Sequence, residues 1–516
     1  MRYRLVWFKR DLRVVDHAPL CDAAARGPVL CLYVVEPSLW HQADAATQHY
    51  RFIVESLHEL NAALRAQGGE LWIVVGEMVE VLQRLHVVAP FEALHSHEET
   101  GNAHTYARDR AVAAWCRAHG VSWHEAPSFG VVRRLRHRRE WQRHWEQRMS
   151  APALDVPRLR FQPPPWPNAT PPPAHALGLP SWDPPLRQRG GRQHALQTLH
   201  EFVESRCAQY RGGISSPLTA PDACSRLSAY LAYGCLSLRE VVHTTRQMLA
   251  ALPPEATRQR QGLTAFHSRL YWHCHFIQKL ESEPELEWRN LHRGYDDLRE
   301  PEWREDHFQA LQAGATGWPM VDACVAMLRQ TGWLNFRMRA MLVSVAAYPL
   351  WLHWRRVGEW LAREFLDYEP GIHWSQMQMQ SGTTGINATR VYNPIKQAMD
   401  HDPKGVFVRR WLPALRAVPD SWVFEPWRMP HTVRPHGEVQ WPKPVVDLET
   451  ALRQAKARLH QRRALPDVQA INPQVLDKHG SRRGMPGASR DASGQERPVR
   501  RRRPAIESTQ QLSLEW

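Results

Sequence analysis

The sequence predicts an N-terminal doubly wound α/β domain with a parallel sheet, joined by a long proline-rich linker to a large all-helical domain. Three short apolar runs in the first third of the chain are typical of buried parallel strands: Arg4–Phe8, Val29–Val35 and Leu71–Val75. Residues Thr47–Arg65 have the apolar spacing of a helix, and two glycines follow them. Strands that alternate with helices in this way predict an open α/β sheet, which we place in residues 1–135.

A proline-rich segment follows this domain. Twelve prolines occur between Pro152 and Pro185, and proline fits neither the interior of a helix nor a central strand. We therefore predict a stiff interdomain linker over residues 136–190. The basic, tryptophan-containing segment Arg133–Trp145 lies where this linker begins, and it fits a solvated surface helix and a binding helix equally well.

The chain after the linker lacks the strand pattern and favours helices throughout. We predict one tryptophan-rich helical domain over residues 191–465. Its predicted helices are Gln193–Ser205, Ser225–Leu231, Leu238–Leu252, Leu263–Leu280, Asp322–Leu328, Phe336–Tyr348 and Val357–Phe365. The basic tail over residues 471–516 mixes charged residues with glycine and proline, and it is predicted to be disordered.

The charge of the chain indicates an anionic partner. The formal net charge is +14, and the segment from residue 471 contributes +4, which leaves +10 on the part that is predicted to fold. Such an excess favours a polyanion such as nucleic acid.

The composition argues against secreted and membrane proteins. The N-terminal run has charges among its apolar residues and does not form the core of a signal peptide. The longest apolar stretch, Ala340–Leu352, is too short to span a bilayer and contains Pro349. Eight cysteines without a CxxC pair predict no disulfide framework, so we expect a protein of the reducing cytoplasm. We expect no metal at His273–His275, because successive side chains point about 100° apart on a helix.

A cluster of polar residues near a predicted helix start has the chemistry of a phosphate site. Ser225 and Ser228 flank Arg226, so hydroxyls, free backbone N–H groups and a guanidinium lie together there. The segment CSRLSAYLAYG (Cys224–Gly234) is weak evidence by itself, because serine is common at helix starts.

Several motifs, in order along the chain, resemble those of the photolyase/cryptochrome family. They are the opening LVWFKRDLRVVDHAPL, the segment CSRLSAYLAYG, ATGWPMVDA (Ala315–Ala323), QTGWLNFRMRAM (Gln330–Met341), RVYNPIKQAMDHDPKGVFVRRWLPAL (Arg390–Leu415), EPW (Glu425–Trp427) and WPKPVVD (Trp441–Asp447). Together they extend from residue 5 to residue 447, which is most of the chain. The sequence is therefore identified as a member of this family, and the resemblance implies an antenna domain followed by a helical FAD-binding domain.

The resemblance also implies which residues hold the FAD. Those that match the family's phosphate- and sugar-binding positions are Tyr210, Ser225, Arg226, Leu227 and Ser228. Arg339 and Asp367 match the pair beside the isoalloxazine ring, where an arginine stabilises the negative charge of a reduced flavin. His273 replaces an arginine near the flavin. Because no Asn, Cys or Asp stands in register opposite flavin N5, three residues remain alternatives there: His373, Gln376 and Gln378.

A contact with UV-damaged DNA is implied by three positions. Trp272 matches the tryptophan that stacks against the flipped lesion, and Arg337 and Arg390 match positions near the phosphates at the pocket mouth. Two residues depart from the pattern of enzymes that repair cyclobutane dimers, since Arg269 replaces a glutamate and Phe336 replaces an asparagine. These changes remove polar partners of the lesion bases, so the sequence leaves the lesion type open.

In this family, stacked tryptophans relay an electron to the photoexcited flavin. Trp354 matches the middle member of the relay, and Trp374 is the candidate for the member nearest the flavin. The outer member has no clear match, and Tyr295 and Trp303 are the alternatives.

The resemblance does not identify the antenna chromophore, and the identity of this second cofactor is left open. Folate-binding relatives have an Asn-Glu pair where this chain has His104 and Thr105, so folate is not supported. A deazaflavin, another ligand and an empty site remain alternatives.

The last residues, QLSLEW (Gln511–Trp516), resemble the peptide by which bacterial repair proteins bind the sliding clamp, which suggests a weak clamp contact through the tail. The sequence thus predicts a bacterial, cytoplasmic, nucleoid-associated photolyase that splits pyrimidine dimers with an electron from excited, reduced FAD. A cryptochrome-type photoreceptor without repair activity is the alternative. A flavoprotein that binds DNA without using light is a third interpretation.

Overall fold

The computed structural model describes residues 3–386, 390–433 and 441–479. Its N-terminal part is built on a parallel sheet of β1 (Arg4–Phe8), β2 (Val29–Val35), β3 (Leu71–Val75), β4 (Ala93–His97) and β5 (Ser122–Ala126). The strand order is β3-β2-β1-β4-β5. The first three strands have the predicted bounds, and every residue of β2 is buried, as expected for a strand that is covered on both faces.

Helices cover both faces of this sheet. They are α1 (Ala18–Arg26), α2 (Pro37–Trp40), α3 (Thr47–Ala66), α4 (Met78–Val88) and α5 (Ala103–Ala118). Leu20 of α1 and Phe52 of α3 share a buried cluster with Val6 and Phe8 on one face of the sheet. Helices α4 and α5 bury their apolar side chains on the other face. The predicted doubly wound arrangement is confirmed.

The proline-rich segment runs along the α/β domain as irregular chain. Val29 at the start of β2 forms a parallel bridge with Phe161. Further along, the backbone N–H of Ala169 donates to the carbonyl of Ile73 over 2.9 Å. These two contacts attach the linker to the domain at Phe161 and Ala169.

The basic segment at the start of the linker forms helix α6 (Arg138–Ser150), which begins five residues later than the basic run in the sequence. Its Trp141 and Trp145 are 3% and 2% exposed. Their ring centroids lie 4.8 and 5.2 Å from that of Tyr271 in the helical domain. The tryptophans of α6 therefore fix this helix to the helical domain.

The rest of the described chain is helical. Its α-helices are α7 (Arg192–Glu201), α8 (Cys207–Gly213), α9 (Ala220–Ala223), α10 (Ser228–Ala232), α11 (Leu238–Ala251), α12 (Thr257–Ser282), α13 (Glu305–Ala313), α14 (Pro319–Thr331), α15 (Phe336–Ala347), α16 (Trp354–Glu364), α17 (Pro370–Ser381), α18 (Pro394–His401), α19 (Val406–Trp411), α20 (Leu448–Ala464) and α21 (Pro466–His479). A π-helical turn (Phe202–Arg206) joins α7 to α8. One buried cluster contains residues of both domains, so the sheet face under α3 and the helices α7 to α12 share a continuous core.

The structure differs from the prediction at the start of the tail. The sequence places disorder from residue 471, but α21 continues to His479. Val468 and Val475, seven residues apart on this helix, are both buried, and Pro473 lies between them inside the helix. Tertiary packing therefore stabilises a helix that proline disfavours locally. The suggested clamp peptide Gln511–Trp516 lies outside the described residues.

In the part of the chain that the structure describes, no helix combines the length and the apolar character that a membrane crossing requires.

A close approach between α12 and α8 gives a test of this packing. A Cβ atom on Gly262 would lie 1.8 Å from the carbonyl oxygen of Cys207. We expect Gly262→Ala to lower the free energy of unfolding by about 1–3 kcal/mol in a denaturant titration, because the helices must move apart. Gln261→Ala, on the exposed side of the same helix, is the control and should change it by less than about 0.5 kcal/mol. An unchanged stability of Gly262→Ala would contradict the packing described here.

Candidate functional site

Tyr210 lies on α8 with its ring buried among other aromatic rings. Its ring centroid lies 5.5 Å from that of Phe202 and 5.8 Å from that of Phe266, both in edge-on arrangements. Burial raises the pKa of Tyr210, and the Arg269 guanidinium, which donates a hydrogen bond to its hydroxyl, acts against that rise. Arg269, one of the residues that depart from the family pattern, is thus in contact with a residue of the expected phosphate site.

The loop before α10 differs from its predicted helical form. The helix begins at Ser228 and not at Ser225, and Arg226 has a left-handed backbone conformation with φ of 62°. The Arg206 guanidinium donates to the carbonyls of Cys224 and Ser225, the latter over 3.2 Å. This side chain holds the loop in a shape that local helix propensity does not encode. Leu227 is 1% exposed, so it takes part in core packing.

Arg226 is a partly buried cation with the chemistry of an anion-binding residue. Its guanidinium lies 3.8 Å from the centroid of the Trp333 ring, and it donates to Gln188 over 3.4 Å. Among the described residues, it takes part in none of the ion pairs. Burial lowers the pKa of Arg226 to about 10, so the group is still charged at neutral pH. Such a cation fits a pyrophosphate, which would supply the missing negative charge.

Arg339 of α15 and Asp367, which follows α16, form a two-bond ion pair. The two N–H···O distances are 2.9 and 3.0 Å, and the Arg339 Nε donates to the carbonyl of Leu334 over 2.6 Å. Burial disfavours the charged carboxylate, but Arg339 and a hydrogen bond from Ser228 together lower the pKa of Asp367. Ser228, Arg339 and Asp367, which the sequence assigned to one site, therefore lie together.

The α/β domain holds the backbone on the N-terminal side of Asp367. Gln48 of α3 donates to the carbonyl of Arg363 over 2.6 Å, and the His49 ring lies 2.9 Å from the carbonyl of Phe365. Within the helical domain, the Tyr233 hydroxyl donates to the carbonyl of Leu366 over 3.1 Å.

Two further side-chain pairs hold the residues that follow Asp367. The Tyr368 hydroxyl donates to Asp44 over 2.6 Å, and Arg10 lies 3.1 Å from Glu369 in an ion pair. Arg10, Asp44, Gln48 and His49 of the α/β domain were not predicted from the sequence to belong to the site. A signal in the sequence for these contacts was the pair of polar residues Gln48 and His49 in the otherwise amphipathic helix α3.

Trp272 is a partly exposed residue on α12. Its ring centroid lies 4.9 Å from that of His275 and 6.1 Å from that of Phe276. The neighbouring His273 points to the α/β domain, where its ring lies 5.1 Å from that of Phe129. Burial, followed by the charge of Arg10, lowers the pKa of His273 to about 4, so its ring is neutral at physiological pH.

The two tryptophans assigned to electron transfer are adjacent. The ring centroids of Trp354 and Trp374 are 5.9 Å apart, and both rings are 1% exposed or less. The Trp354 indole N–H donates to Asn290 over 2.8 Å. Among the described residues, the ring contacts of Tyr295 and Trp303 are with other partners, so the outer member stays unassigned.

The three alternatives for the residue opposite flavin N5 differ in their available hydrogen bonds. The amide group of Gln378 donates to two carbonyls and accepts from one backbone N–H, so both of its N–H donors are used. Gln378 could therefore reach a flavin only as a further acceptor. The His373 Nε2 lies 2.9 Å from the carbonyl of Gly358, and burial lowers the pKa of this ring to about 4. Gln376 is partly exposed, and its side-chain oxygen accepts from Gln380 over 3.3 Å.

Arg337 and Arg390 are both associated with α15. Arg337 is the second residue of this helix, close enough to His401 to lower the pKa of that ring after the larger effect of burial. The backbone carbonyl of Arg390 accepts from Ser344, also on α15, over 3.3 Å. Both arginines are partly exposed.

The carboxyl edge of the parallel sheet, where β1 and β4 diverge, is filled by ion pairs of the chain itself. Lys9 lies 2.8 Å from Asp109, and Arg108 lies 2.9 Å from Glu36 and 2.6 Å from Glu99. Ligands of doubly wound folds bind at such an edge. These ion pairs lie at the edge where such a ligand would bind.

A second buried polar cluster joins β1, α1 and β4. Asp11 Oδ2 lies 2.9 Å from His17 Nε2 and 2.6 Å from His97 Nδ1. His17 Nδ1 accepts from the backbone N–H of Leu20, so its Nε2 carries the proton and donates to Asp11. The grouping has the residue types of a metal site, but its ligand atoms are used in these hydrogen bonds.

Two family models match the chain. The DNA photolyase model matches residues 4–137, and the model for the FAD binding domain of DNA photolyase matches residues 266–461. Cryptochrome DASH of Gloeobacter violaceus is 30% identical over 86% of this chain and 93% of its own length. A deoxyribodipyrimidine photo-lyase of Thermus thermophilus is 31% identical over 79% of this chain and 92% of its own length.

Solved structures share the fold. A class III photolyase from Agrobacterium tumefaciens superposes with a TM-score of 0.76 at 23% identity, over 90% of this chain and 98% of that one. A Synechocystis cryptochrome superposes with a TM-score of 0.78 at 21% identity, over 89% and 99%. The family inferred from the motifs is therefore confirmed: the chain belongs to the photolyase/cryptochrome family and has its FAD-binding domain.

Proposed function

We propose that this protein is a blue-light-driven DNA photolyase that uses FAD to split UV-induced pyrimidine dimers. The observation that carries the proposal lies on α12. Arg269 on this helix donates a hydrogen bond to the buried Tyr210, and the partly exposed Trp272 follows about one turn later. The helix thus links a residue proposed to bind the cofactor to a residue proposed to contact DNA. Such a substrate would place the protein with the nucleoid in the cytoplasm.

The proposed cofactor contacts follow from the charges at the site. Arg226 would bind the pyrophosphate of FAD, and Arg339 would lie beside the isoalloxazine ring. When bound and reduced, FAD absorbs blue light, supplies one electron to the dimer and takes it back after the dimer bonds split. The Asp367 carboxylate fixes the Arg339 guanidinium, whose positive charge favours the anionic form of a reduced ring.

The proposed DNA contacts rely on stacking and on phosphate binding. Trp272 would stack against the flipped lesion, and Arg337 and Arg390 would contact phosphates at the pocket mouth. Arg269 is engaged with Tyr210, and Phe336 offers no hydrogen bond, so these positions do not supply the base-edge contacts of the family pattern. Relatives named deoxyribodipyrimidine photo-lyase support repair as the activity.

The buried tryptophan pair would supply electrons to oxidised flavin. Trp374 would donate first, and Trp354, with its ring centroid 5.9 Å away, would refill it. The Arg355 guanidinium lies 5.0 Å from the Trp374 ring, and this positive charge disfavours a lasting positive charge on Trp374. The charge would therefore move outward to Trp354.

A cryptochrome-type photoreceptor is the second candidate. The changes at Arg269 and Phe336 favour it, and one relative is named Cryptochrome DASH. In that case the same flavin photochemistry would occur without splitting of a DNA bond.

The first test is a repair assay with chemically reduced, FAD-loaded protein in light and in darkness. One oligonucleotide carries a cyclobutane dimer and another carries a (6-4) product. We expect light-dependent restoration of one of them, measured by chromatography of the repaired strand. Restoration of neither by a protein whose flavin is photoreducible would contradict the photolyase proposal and favour the photoreceptor.

Trp272 gives a test of the lesion contact. We expect Trp272→Ala to weaken binding to damaged duplex by about 1–3 kcal/mol in a titration, because one stacking partner is lost. Binding to undamaged DNA and FAD content should not change. Trp288→Ala, at an exposed tryptophan elsewhere in the helical domain, is the matched control. If Trp272→Ala and wild type bind the damaged duplex equally well, Trp272 does not stack against the lesion.

Trp354 gives a test of electron supply. We expect Trp354→Phe to block photoreduction of oxidised flavin, followed by its absorption spectrum, because the positive charge on Trp374 can no longer move outward. Repair by chemically reduced protein should persist. Trp360→Phe, at another buried tryptophan of α16, is the control. Normal photoreduction in Trp354→Phe would mean that the electron takes another route.

A further inference from the structure

One face of α12 continues from Trp272 towards the end of the helix. His275, Phe276 and Lys279 follow Trp272 at three, four and seven positions, so all four share a face. The Trp272 ring contacts the rings of His275 and Phe276, and the Lys279 ammonium lies 5.7 Å from the Phe276 ring centroid. Two helical turns place Lys279 about 10 Å from Trp272 along the axis.

Arg138, the first residue of α6, lies beside this face. Its Nη2 donates to His275 Nε2 over 3.1 Å, which requires the imidazole to be neutral at that nitrogen. Burial, followed by the charges of Lys279 and Arg138, holds the pKa of His275 well below its usual range. Because α6 is fixed by its buried tryptophans, the position of Arg138 next to α12 is determined by the fold.

In the part of the chain that the structure describes, Lys279 lacks a carboxylate partner. Among the described residues it takes part in none of the ion pairs, and the titratable groups that act on it or are affected by it are Arg138, His275 and His479. The acidic residue one turn further, Glu283, is engaged by Lys478 and His479. Burial, followed by the charge of Arg138, lowers the pKa of Lys279 to about 8. An anion would relieve the repulsion between these cations.

We propose that Lys279 and Arg138 bind a backbone phosphate of the lesion-bearing strand, within about three nucleotides of the flipped base. The proposal rests on the proposed function, because it takes Trp272 as the stacking residue. A strand carries one phosphate for about every 3.4 Å of helix axis, so the distance of about 10 Å along α12 limits the phosphate to this range. Because Trp272 and Lys279 lie on the same side of one helix, the damaged strand is favoured over its complement.

The salt dependence of binding measures this contact. With full-length, FAD-loaded protein, the affinity for damaged duplex is measured between about 50 and 200 mM salt. We expect Lys279→Gln to reduce the magnitude of the slope of log affinity against log salt by about 0.9. The affinity should fall by roughly fivefold for damaged and undamaged duplex alike, since a phosphate contact carries no lesion information.

Two further variants serve as controls. Lys279→Arg keeps the charge and should keep the slope. Lys456→Gln, at an exposed lysine of α20, should also keep the slope, although it removes the same charge from the whole protein. An unchanged slope in Lys279→Gln, or an equal loss in Lys456→Gln, overturns the proposal.

Neutral methylphosphonates locate the phosphate. They are placed one at a time at the three linkages on each side of the lesion, and then at the facing linkages of the complementary strand. We expect a methylphosphonate at one position of the damaged strand to weaken DNA binding by the wild-type protein but not by Lys279→Gln. The proposal is overturned if every methylphosphonate in the damaged strand weakens wild type and Lys279→Gln equally. It is also overturned if the effect depends on Lys279 only in the complementary strand.

These outcomes differ from a failure of the proposed function. Wild-type protein that binds damaged and undamaged duplex equally would contradict lesion recognition by Trp272. The salt slope of Lys279→Gln would still test the phosphate contact on undamaged duplex.

Discussion

The charged carboxylate of Asp367 is the constraint on which much of the arrangement depends. Asp367 is buried, so it stays ionised only while Arg339 and Ser228 remain in hydrogen-bonding position. Removing one partner of a buried ion pair typically costs about 3–5 kcal/mol, because the other charge is left unpaired. Gln48 and His49 of the α/β domain hold the adjacent backbone, so the two domains together fix this carboxylate. The α/β domain is therefore part of the framework of the flavin domain.

The two arginines of the proposed flavin site differ in whether a carboxylate neutralises their charge. Arg339 has a carboxylate partner, so the guanidinium can be fixed before any ligand arrives. Arg226 has an aromatic face and an amide as its neighbours, which orient it without neutralising its charge. On the proposed assignment, Arg339 would polarise the flavin ring and Arg226 would accept the anionic pyrophosphate.

The sequence could predict three of the five strands and several of the helices, because their apolar patterns are local. Strand β2 is buried on both faces and has the predicted bounds, Val29–Val35. The loop at Ser225 was predicted as helix, since nothing local reveals that Arg206 draws its carbonyls out of helical geometry. In the candidate site, Arg339 and Asp367 could be paired through the family motifs. The contacts of Gln48 and His49 could not be predicted, because they join residues more than 300 positions apart.

The charges on α12 indicate how recognition differs from the family pattern. The helix has Arg269 in place of a glutamate, and Lys279 lies two turns beyond Trp272 without a carboxylate partner among the described residues. A glutamate accepts hydrogen bonds from base edges, whereas arginine and lysine side chains only donate. The helix has thus lost an acceptor for bases and has a cation that fits phosphate. Binding would then depend on backbone charge and on stacking by Trp272, which are the contacts that tolerate different lesions.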